Sequence, residues 1–570
     1  MPGDIPDLYC PFLIHLEVMK STYVLIFLFS AFVSFGQANY TNPILSGFYP
    51  DPSICRAGED YYLVTSTFAY FPGLPIMHSK DLVSWHQIGS ALNRKEQLDL
   101  TGAGVSRGLF APAISFNDSL FYITCTQVDK GGNFVITAKD PRGPWTNPVY
   151  LPEVKGIDPS LFFEGNKTYI LYNSEAPDNQ PLYEGHRTIR MYEFDRHQLK
   201  IIGDEKILIN GGTDIEKKPI WIEAPHLLKK DGYYFLFCAE GGTEYNHSEV
   251  VFRSTTINGP YVSFVNNPIL TQRHLDSSRI NPITSTGHAD LVQTQEGDWY
   301  AVFLGCRPYQ GNHFNTGRET FMAPVVWENG WPIINPGFKE VQYSYPAPVM
   351  KKNQFTSGIN EFATGQLFHD HFDQKVLNNR YVFLRTPLKT WYNFENKKGY
   401  LTLELQPETC SERKNIAMIA DRQNHLNGYV STRMRFQTQA SNEKAGLLIF
   451  QNENHYYFVC KSADNGLPVV QLFKGPGNKN DTLGPQLLTS IPLRKNNAGI
   501  IFKVEVDENG YTFYYSIKKD KWLMLRSSME RSFLSTETAG GFVGCVYGMY
   551  ATSNGVPSVN GAMFDWFEHQ

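Results

Sequence analysis

From about residue 42 to residue 345, short apolar and aromatic runs alternate with polar turns, the pattern of β-strands. Five such runs are Tyr61–Thr65, Leu120–Thr124, Thr168–Tyr172, Tyr233–Phe237 and Trp299–Phe303. Each follows a polar turn. Upstream of each turn stands a related phrase: Asp51-Pro52-Ser53, Ala111-Pro112-Ala113, Asp158-Pro159-Ser160, Ala224-Pro225-His226 and His288-Ala289-Asp290. One strand-turn-strand phrase, written five times at spacings of roughly 45–65 residues, predicts a five-bladed β-propeller. The inner strand of each blade then faces a shared axis.

Residues 346–366 break this rhythm and read as a linker. From 367 to 570 the strands follow a different pattern. Tyr400–Leu405, Tyr429–Phe436 and Ile501–Val506 alternate apolar and polar residues, as half-buried strands of a sandwich do. Asn509-Gly510 before Tyr511 marks a tight hairpin. The predicted class is all-β: a five-bladed propeller over 39–345, the linker, then a C-terminal β-sandwich over 367–570.

The first 38 residues fit neither domain. Met19-Lys20, the apolar stretch Tyr23–Phe35, and the small residues Gly36 and Ala38 form a signal-peptide pattern over 19–38. Asp4, Asp7 and Glu17 precede it in an extension over 1–18 that a signal does not call for, so translation is expected to start at Met19. The protein is therefore expected to be secreted or periplasmic. No other segment approaches the roughly 20 apolar residues of a membrane-spanning helix, and no membrane span is expected.

The formal charge of −5 is mixed along the chain with no basic block, which argues against a nucleic-acid partner or an acidic polymer substrate. Apart from Cys10, the cysteines at 55, 125, 238, 306, 410, 460 and 545 are widely spaced and odd in number. No Cys-x-x-Cys pair points to zinc or redox chemistry, so buried free thiols are expected. Tyr and Trp are abundant enough to line a sugar site, although most should pack in the strands.

Three acids carry the chemistry. Asp51, Asp158 and Glu223 stand at equivalent points of repeats one, three and four, each just ahead of a proline that stiffens the chain. Equivalent points of a propeller converge at one end of its axis. An acid, a base and a tuner held together are the groups needed to break a glycosidic bond.

These residues resemble glycoside hydrolase family 43, in particular its two-domain β-xylosidase and α-L-arabinofuranosidase members. The resemblance covers nearly everything after the signal. Its motifs are Gly47-Phe48-Tyr49-Pro50-Asp51-Pro52-Ser53, Thr65-Ser66-Thr67-Phe68, Phe71-Pro72-Gly73, His78-Ser79-Lys80-Asp81-Leu82, Ala239-Glu240-Gly241-Gly242-Thr243, Gly287-His288, Gly317-Arg318-Glu319-Thr320 and the closing Phe564-Asp565-Trp566-Phe567. It implies a five-bladed propeller with a concanavalin-like jelly roll behind it. It also implies Asp51 as general base, Glu223 as general acid, and Asp158 as the group that raises the proton affinity of Glu223 and orients it. An inverting mechanism follows, with base and acid roughly 6.5–9.5 Å apart.

By the same resemblance, Arg307 binds the terminal sugar and Phe68 is an aromatic wall. His288 lies under the site, where relatives hold water or calcium at the axis. No cofactor is required on this account, and calcium is possible. Arg318 with Glu319 reads as an ion pair near the axis within reach of ligand. Tyr70 and Phe110 stand where relatives often carry Trp, and they shape the pocket that selects the sugar. The implied activity is exo-cleavage of terminal β-D-xylose or α-L-arabinofuranose from an oligosaccharide or hemicellulose. The alternatives are an endo-arabinanase, against which the sandwich argues by obstructing a groove, and a non-catalytic carbohydrate-binding protein, against which the three acids argue.

Overall fold

A computed structural model describes residues 38–349, 359–478, 484–493, 499–518 and 521–570. The signal segment 19–38, apart from Ala38, and the extension before it lie outside the described residues.

The repeated phrase becomes five antiparallel meanders, each with the phrase at the start of its inner strand. Blade one comprises Ser53–Ala57, Asp60–Val64, Gly73–Ser79 and His86–Leu92. Blade two comprises Ala113–Asn117, Leu120–Gln127, Gly132–Ala138 and Val149–Tyr150. Blade three comprises Ile157–Glu164, Lys167–Glu175, Arg187–Asp195 and Lys200–Asn210. Blade four comprises Glu223–Lys230, Tyr233–Glu240, Ser248–Ser254 and Val262–Ser263, with Leu270–Thr271 added to its third strand. Blade five comprises Thr284–Gln293, Trp299–Cys306, Glu319–Glu328 and Trp331–Ile334.

Each inner strand packs against the next, and the fifth packs against the first, which closes the ring. The aromatic second strands supply the material between blades. Tyr61 and Leu63 share one cluster with Tyr300 and Val302, and Leu171 shares another with Leu236. The two ends of the propeller are tied by pairing of Asn39–Thr41 with Ser344–Pro346. The buried Asn42 amide reinforces the tie by donating to the Met322 carbonyl at 2.9 Å.

The C-terminal half forms two stacked sheets. One is ordered Tyr392–Asn393, Leu401–Glu404, Gly561–His569, Gly428–Arg435, Gly499–Asp507, Gly510–Ser516, Leu523–Met529. The other is ordered Met418–Arg422, Val546–Thr552, Lys444–Asn452, His455–Asp464, Leu467–Lys474, Gln486–Pro492. The alternation read from the sequence is a burial alternation: along Gly499–Asp507, buried positions alternate with half-buried ones up to the exposed end. Asn509-Gly510 makes the turn that pairs Asp507 with Gly510.

The two domains are not joined loosely. Part of the 346–366 stretch lies outside the described residues, but Phe362 is buried against blade one and its carbonyl accepts from Ser46 N at 3.0 Å. Strand Phe383–Leu384 pairs with Tyr70–Phe71 of the propeller. Arg422, fully buried, donates from Nε to the Phe48 carbonyl at 3.0 Å and stacks over the Phe48 and Tyr49 rings. Gly317 has φ of +71°, and a Cβ there would stand 2.7 Å from Gly544 N of the sandwich, so that approach needs glycine. These contacts seat the sandwich against the chain segments that carry Asp51 and Arg318.

Candidate active site

The starts of the inner strands build the site. Asp51, Asp158, Ala224 and His288 all hold left-handed backbone, with φ of 54°, 57°, 52° and 56°. Asp tolerates this region because its short side chain can bond locally, and each such residue still stores strain. The shared conformation identifies the truly equivalent positions. Glu223 is not one of them: it stands one residue ahead, opposite Ala239, as Ile157 stands opposite Asn173 and Gly287 opposite Leu304. An irregularity in the pairing after each of these residues displaces the chain there. Glu223, expected at the equivalent point, is therefore one position off: counted from the proline, Ala224 matches Asp51 and Asp158, yet Glu223 still faces the same cavity.

That cavity, of about 610 Å³, is lined by Asp51, Asp158, Glu223, His288, Arg318, Phe68 and Phe110 among others. The three acids are 5%, 7% and 6% exposed, so each charge is felt strongly by its neighbours. Asp51 accepts from Arg318 Nη1 at 3.0 Å and from the fully buried Ser66 hydroxyl at 2.5 Å. His288 Nδ1 lies 3.7 Å from the same carboxylate. Burial pushes the Asp51 carboxyl up, but Arg318, His288 and the Ser66 bond outweigh it and hold the group below its ordinary value.

Glu223 is displaced the other way. Burial, followed by the charge of Asp51, lifts it to about 7. Asp158 is also pushed well above the carboxylate range, by burial and then by Glu223 and Asp51. Two repelling buried acids keep a proton that isolated acids would lose. Blade three also clamps the segment that bears Glu223. Asn173 Nδ2 donates to the Ile222 carbonyl at 2.5 Å, and the Ser160 hydroxyl donates to the Pro225 carbonyl at 2.5 Å. The backbone N–H of Ala224 donates to Asp158, so Asp158 orients the acid through the next residue in the chain.

Some expected residues are placed elsewhere. Arg307 does not reach the cavity. It makes a bidentate pair with the fully buried Glu319, at 2.6 and 2.8 Å, and Glu319 also accepts from Gly47 N and the Thr316 hydroxyl. That arginine braces the loop, and the guanidinium in the cavity belongs to Arg318. Arg318 pairs with Asp51 rather than with Glu319, stands over the Phe68 and Phe542 rings, and leaves its Nε without a partner among the described residues. Tyr70 lies behind the wall, fully buried against Phe48.

His288 lines the cavity, where burial pushes its imidazole down to about 3. Calcium takes six to eight oxygen ligands. Around His288 stand the Asp51 carboxylate, already held by Arg318 and Ser66, and the nitrogen-bearing His226, His247 and Arg318. This donor set does not suit calcium. Among the described residues no group of three or more His, Cys, Asp or Glu could hold a metal ion.

The structure adds residues that the sequence did not single out. Phe542 of the sandwich lines the cavity, 6.0 Å from the Phe68 ring and 5.9 Å from the Phe110 ring. Nothing in Gly540-Gly541-Phe542 advertises this, because the approach is made only by docking of the two domains. Trp221 forms another wall, backed by the Arg187 guanidinium 3.8 Å from its ring. Arg107 at the mouth is held by Asp129 at 2.8 Å. The loop Gly241–Asn246 completes the lining. It follows the strand paired with Glu223 and so belongs to the acid's side of the cavity.

A propeller whose axial cavity holds one carboxyl biased toward ionisation and another biased toward protonation is the architecture of a glycoside hydrolase. The family model described as glycosyl hydrolases family 43 matches residues 40–332. One described as the beta-xylosidase C-terminal concanavalin A-like domain matches residues 369–570. A xylosidase/arabinosidase of Butyrivibrio fibrisolvens is 38% identical over 92% of this chain and 98% of its own. A non-reducing end alpha-L-arabinofuranosidase of Bacteroides ovatus is 36% identical over 96% of this chain and 97% of its own. The crystal structure of a GH43_12 protein retrieved from a capybara gut metagenome superposes with a TM-score of 0.83 at 40% identity, covering 90% of this chain and 95% of that one. The chain belongs to glycoside hydrolase family 43.

Proposed function

We propose that this hydrolase is exo-acting and inverting, and that it releases terminal pentose, as β-D-xylose, α-L-arabinofuranose or both. The observation that carries this is the opposed bias of Asp51 and Glu223 in one cavity: Asp51 is held below its ordinary value and Glu223 is lifted to about 7. At neutral pH Asp51 is then ready to take a proton and Glu223 to give one. A water oxygen attacks the anomeric carbon and its proton passes to Asp51. The glycosidic C–O bond breaks, and the leaving oxygen takes the proton of Glu223. Asp158 orients Glu223 through the Ala224 N–H, and the repulsion between the two buried acids favours retention of a proton. Arg318 lines the cavity beside Asp51, and its guanidinium is the donor placed for a sugar hydroxyl.

Phe68, Phe110 and Phe542 pack ring to ring as an aromatic wall to which the sandwich contributes, which favours a chain end over a chain interior. This is the support for exo action over an endo-arabinanase. The names of the relatives support both pentoses. No step in this mechanism runs through a metal. The segment 19–38 supports export to the periplasm or beyond. Fractionation of expressing cells tests that part, and enzyme confined to the cytosol refutes it.

The experiment for the reaction is proton NMR of a 4-nitrophenyl β-D-xylopyranoside digest during its first minutes. Inversion gives α-xylose first, followed by mutarotation. First appearance of the β-anomer refutes inversion. Absence of turnover on both xylopyranoside and arabinofuranoside refutes the substrate class.

A further inference from the structure

A second cavity, of about 1200 Å³, lies over blade five against the sandwich. It opens on the same end of the propeller as the first. Its propeller walls are the loop before the inner strand Thr284–Gln293 and the loop after Trp299–Cys306, the same loop positions that line the catalytic cavity in other blades. The sandwich supplies the facing wall, including His425, Asn427 and Arg531. Tyr245 lines both cavities. It sits in the Gly241–Asn246 loop, which flanks Glu223. Glu223 protonates the leaving oxygen, so this loop marks the direction in which the leaving part of a substrate departs.

The lining is neutral in effect. Arg307 is committed to Glu319, and Arg279 lies 3.5 Å from Glu340. Arg531 stacks on the Tyr309 ring at 3.7 Å, and Glu508 lines the same cavity. What remains is chemistry suited to hydroxyl-rich ligands. Tyr343 lines the wall, and the side-chain amides of Asn281, Gln310 and Asn427 have no hydrogen-bond partner among the described residues. Three exposed amides around one cavity, with Tyr343 bonded to the Asn281 carbonyl and Tyr245 on the shared wall, form a surface suited to neutral sugars.

We infer that this second cavity is an extended leaving-group site, which takes the units of a neutral oligosaccharide beyond the cleaved bond, reached across Tyr245. The inference rests on the proposed exo-glycosidase activity. It predicts an enzyme that handles a single pentose in the first cavity yet gains from substrate length through the second.

The test uses the full chain and a triple variant, Asn281→Ala, Gln310→Ala and Asn427→Ala. Aryl glycosides first establish which pentose is cleaved, and an oligosaccharide ladder of that pentose is then compared, for example xylobiose against xylotetraose. Three neutral hydrogen bonds predict a gain of about tenfold or more in kcat/KM for the longer substrate. The triple variant should lose that gain, while its value on the aryl glycoside, which does not reach the second cavity, stays that of the natural chain. A natural enzyme with no length dependence overturns the inference, as does a variant that retains it. A protein inactive on aryl glycosides and oligosaccharides alike refutes the proposed function instead. A fall on every substrate together with a lowered Tm would show that these amides serve the fold and would equally overturn the site.

Discussion

Replacement of Glu223 by alanine tests the acid assignment through two measurements that must agree. The natural chain holds this carboxyl at about 7, through burial first and the Asp51 charge second. Activity requires the protonated form, so kcat/KM should fall as pH rises through that value. A group with its midpoint there is protonated in roughly one molecule in eleven a pH unit higher, so activity near pH 8 should be about a tenth of the plateau. The variant has no such group, and its profile on 4-nitrophenyl β-D-xylopyranoside should be flat across the same interval. Its absolute loss should depend on the leaving group. Sugar alcohols need a proton on departure and should lose about 100- to 10,000-fold. The nitrophenolate leaves readily unaided and should lose far less. The assay is a pH series of kcat/KM on the aryl glycoside and on the disaccharide, for both proteins. A basic limb that persists in the variant would assign it to another group, Asp158 foremost. Equal losses on both substrates would remove Glu223 from proton donation.

Three further substitutions test how the neighbours act. Arg318→Ala removes the largest of the influences that lower Asp51, so burial should push that carboxyl up and the acidic limb of kcat/KM should move to higher pH; an unmoved limb refutes the pairing. Arg307→Met leaves Glu319 buried without its partner. It should cost about 3–5 kcal/mol of stability, read as a fall in Tm, while protein that remains folded keeps its KM; a raised KM at unchanged Tm would restore Arg307 to sugar binding. Phe542→Ala opens the wall contributed by the sandwich and should raise KM on aryl pentosides about tenfold, or roughly 1.4 kcal/mol. Tm should change little, because the ring is only half buried, and an unchanged KM would show that the sandwich does not shape the sugar site.

Much of this protein was legible in one sequence because a propeller repeats its local physics. Each blade needs a polar turn before an aromatic strand, so the five phrases declared themselves, and the phrase beginnings carried Asp51 and Asp158. Sandwich strands were equally readable from the alternation along Gly499–Asp507. What the sequence could not declare depends on contacts between distant segments. The offset of Glu223 from Asp51 and Asp158 is written in the sequence, as Glu-Ala-Pro against Asp-Pro, but that Glu223 still faces the cavity is decided by the fold, where the pairing turns irregular after Glu223 meets Ala239. Which guanidinium pairs with Glu319 is likewise a matter of the fold: Arg307, 12 residues away in the chain, reaches it, while Arg318, its immediate neighbour, turns to Asp51. Phe542 enters the site only because the sandwich docks on the propeller through Arg422 and through the close approach of Gly317 to Gly544. Local patterning thus determined the strands and the catalytic residue types. The closed shape of the cavity and the opposed proton affinities within it were decided by tertiary burial, because burial and neighbouring charge belong to the assembled fold and not to any segment of it.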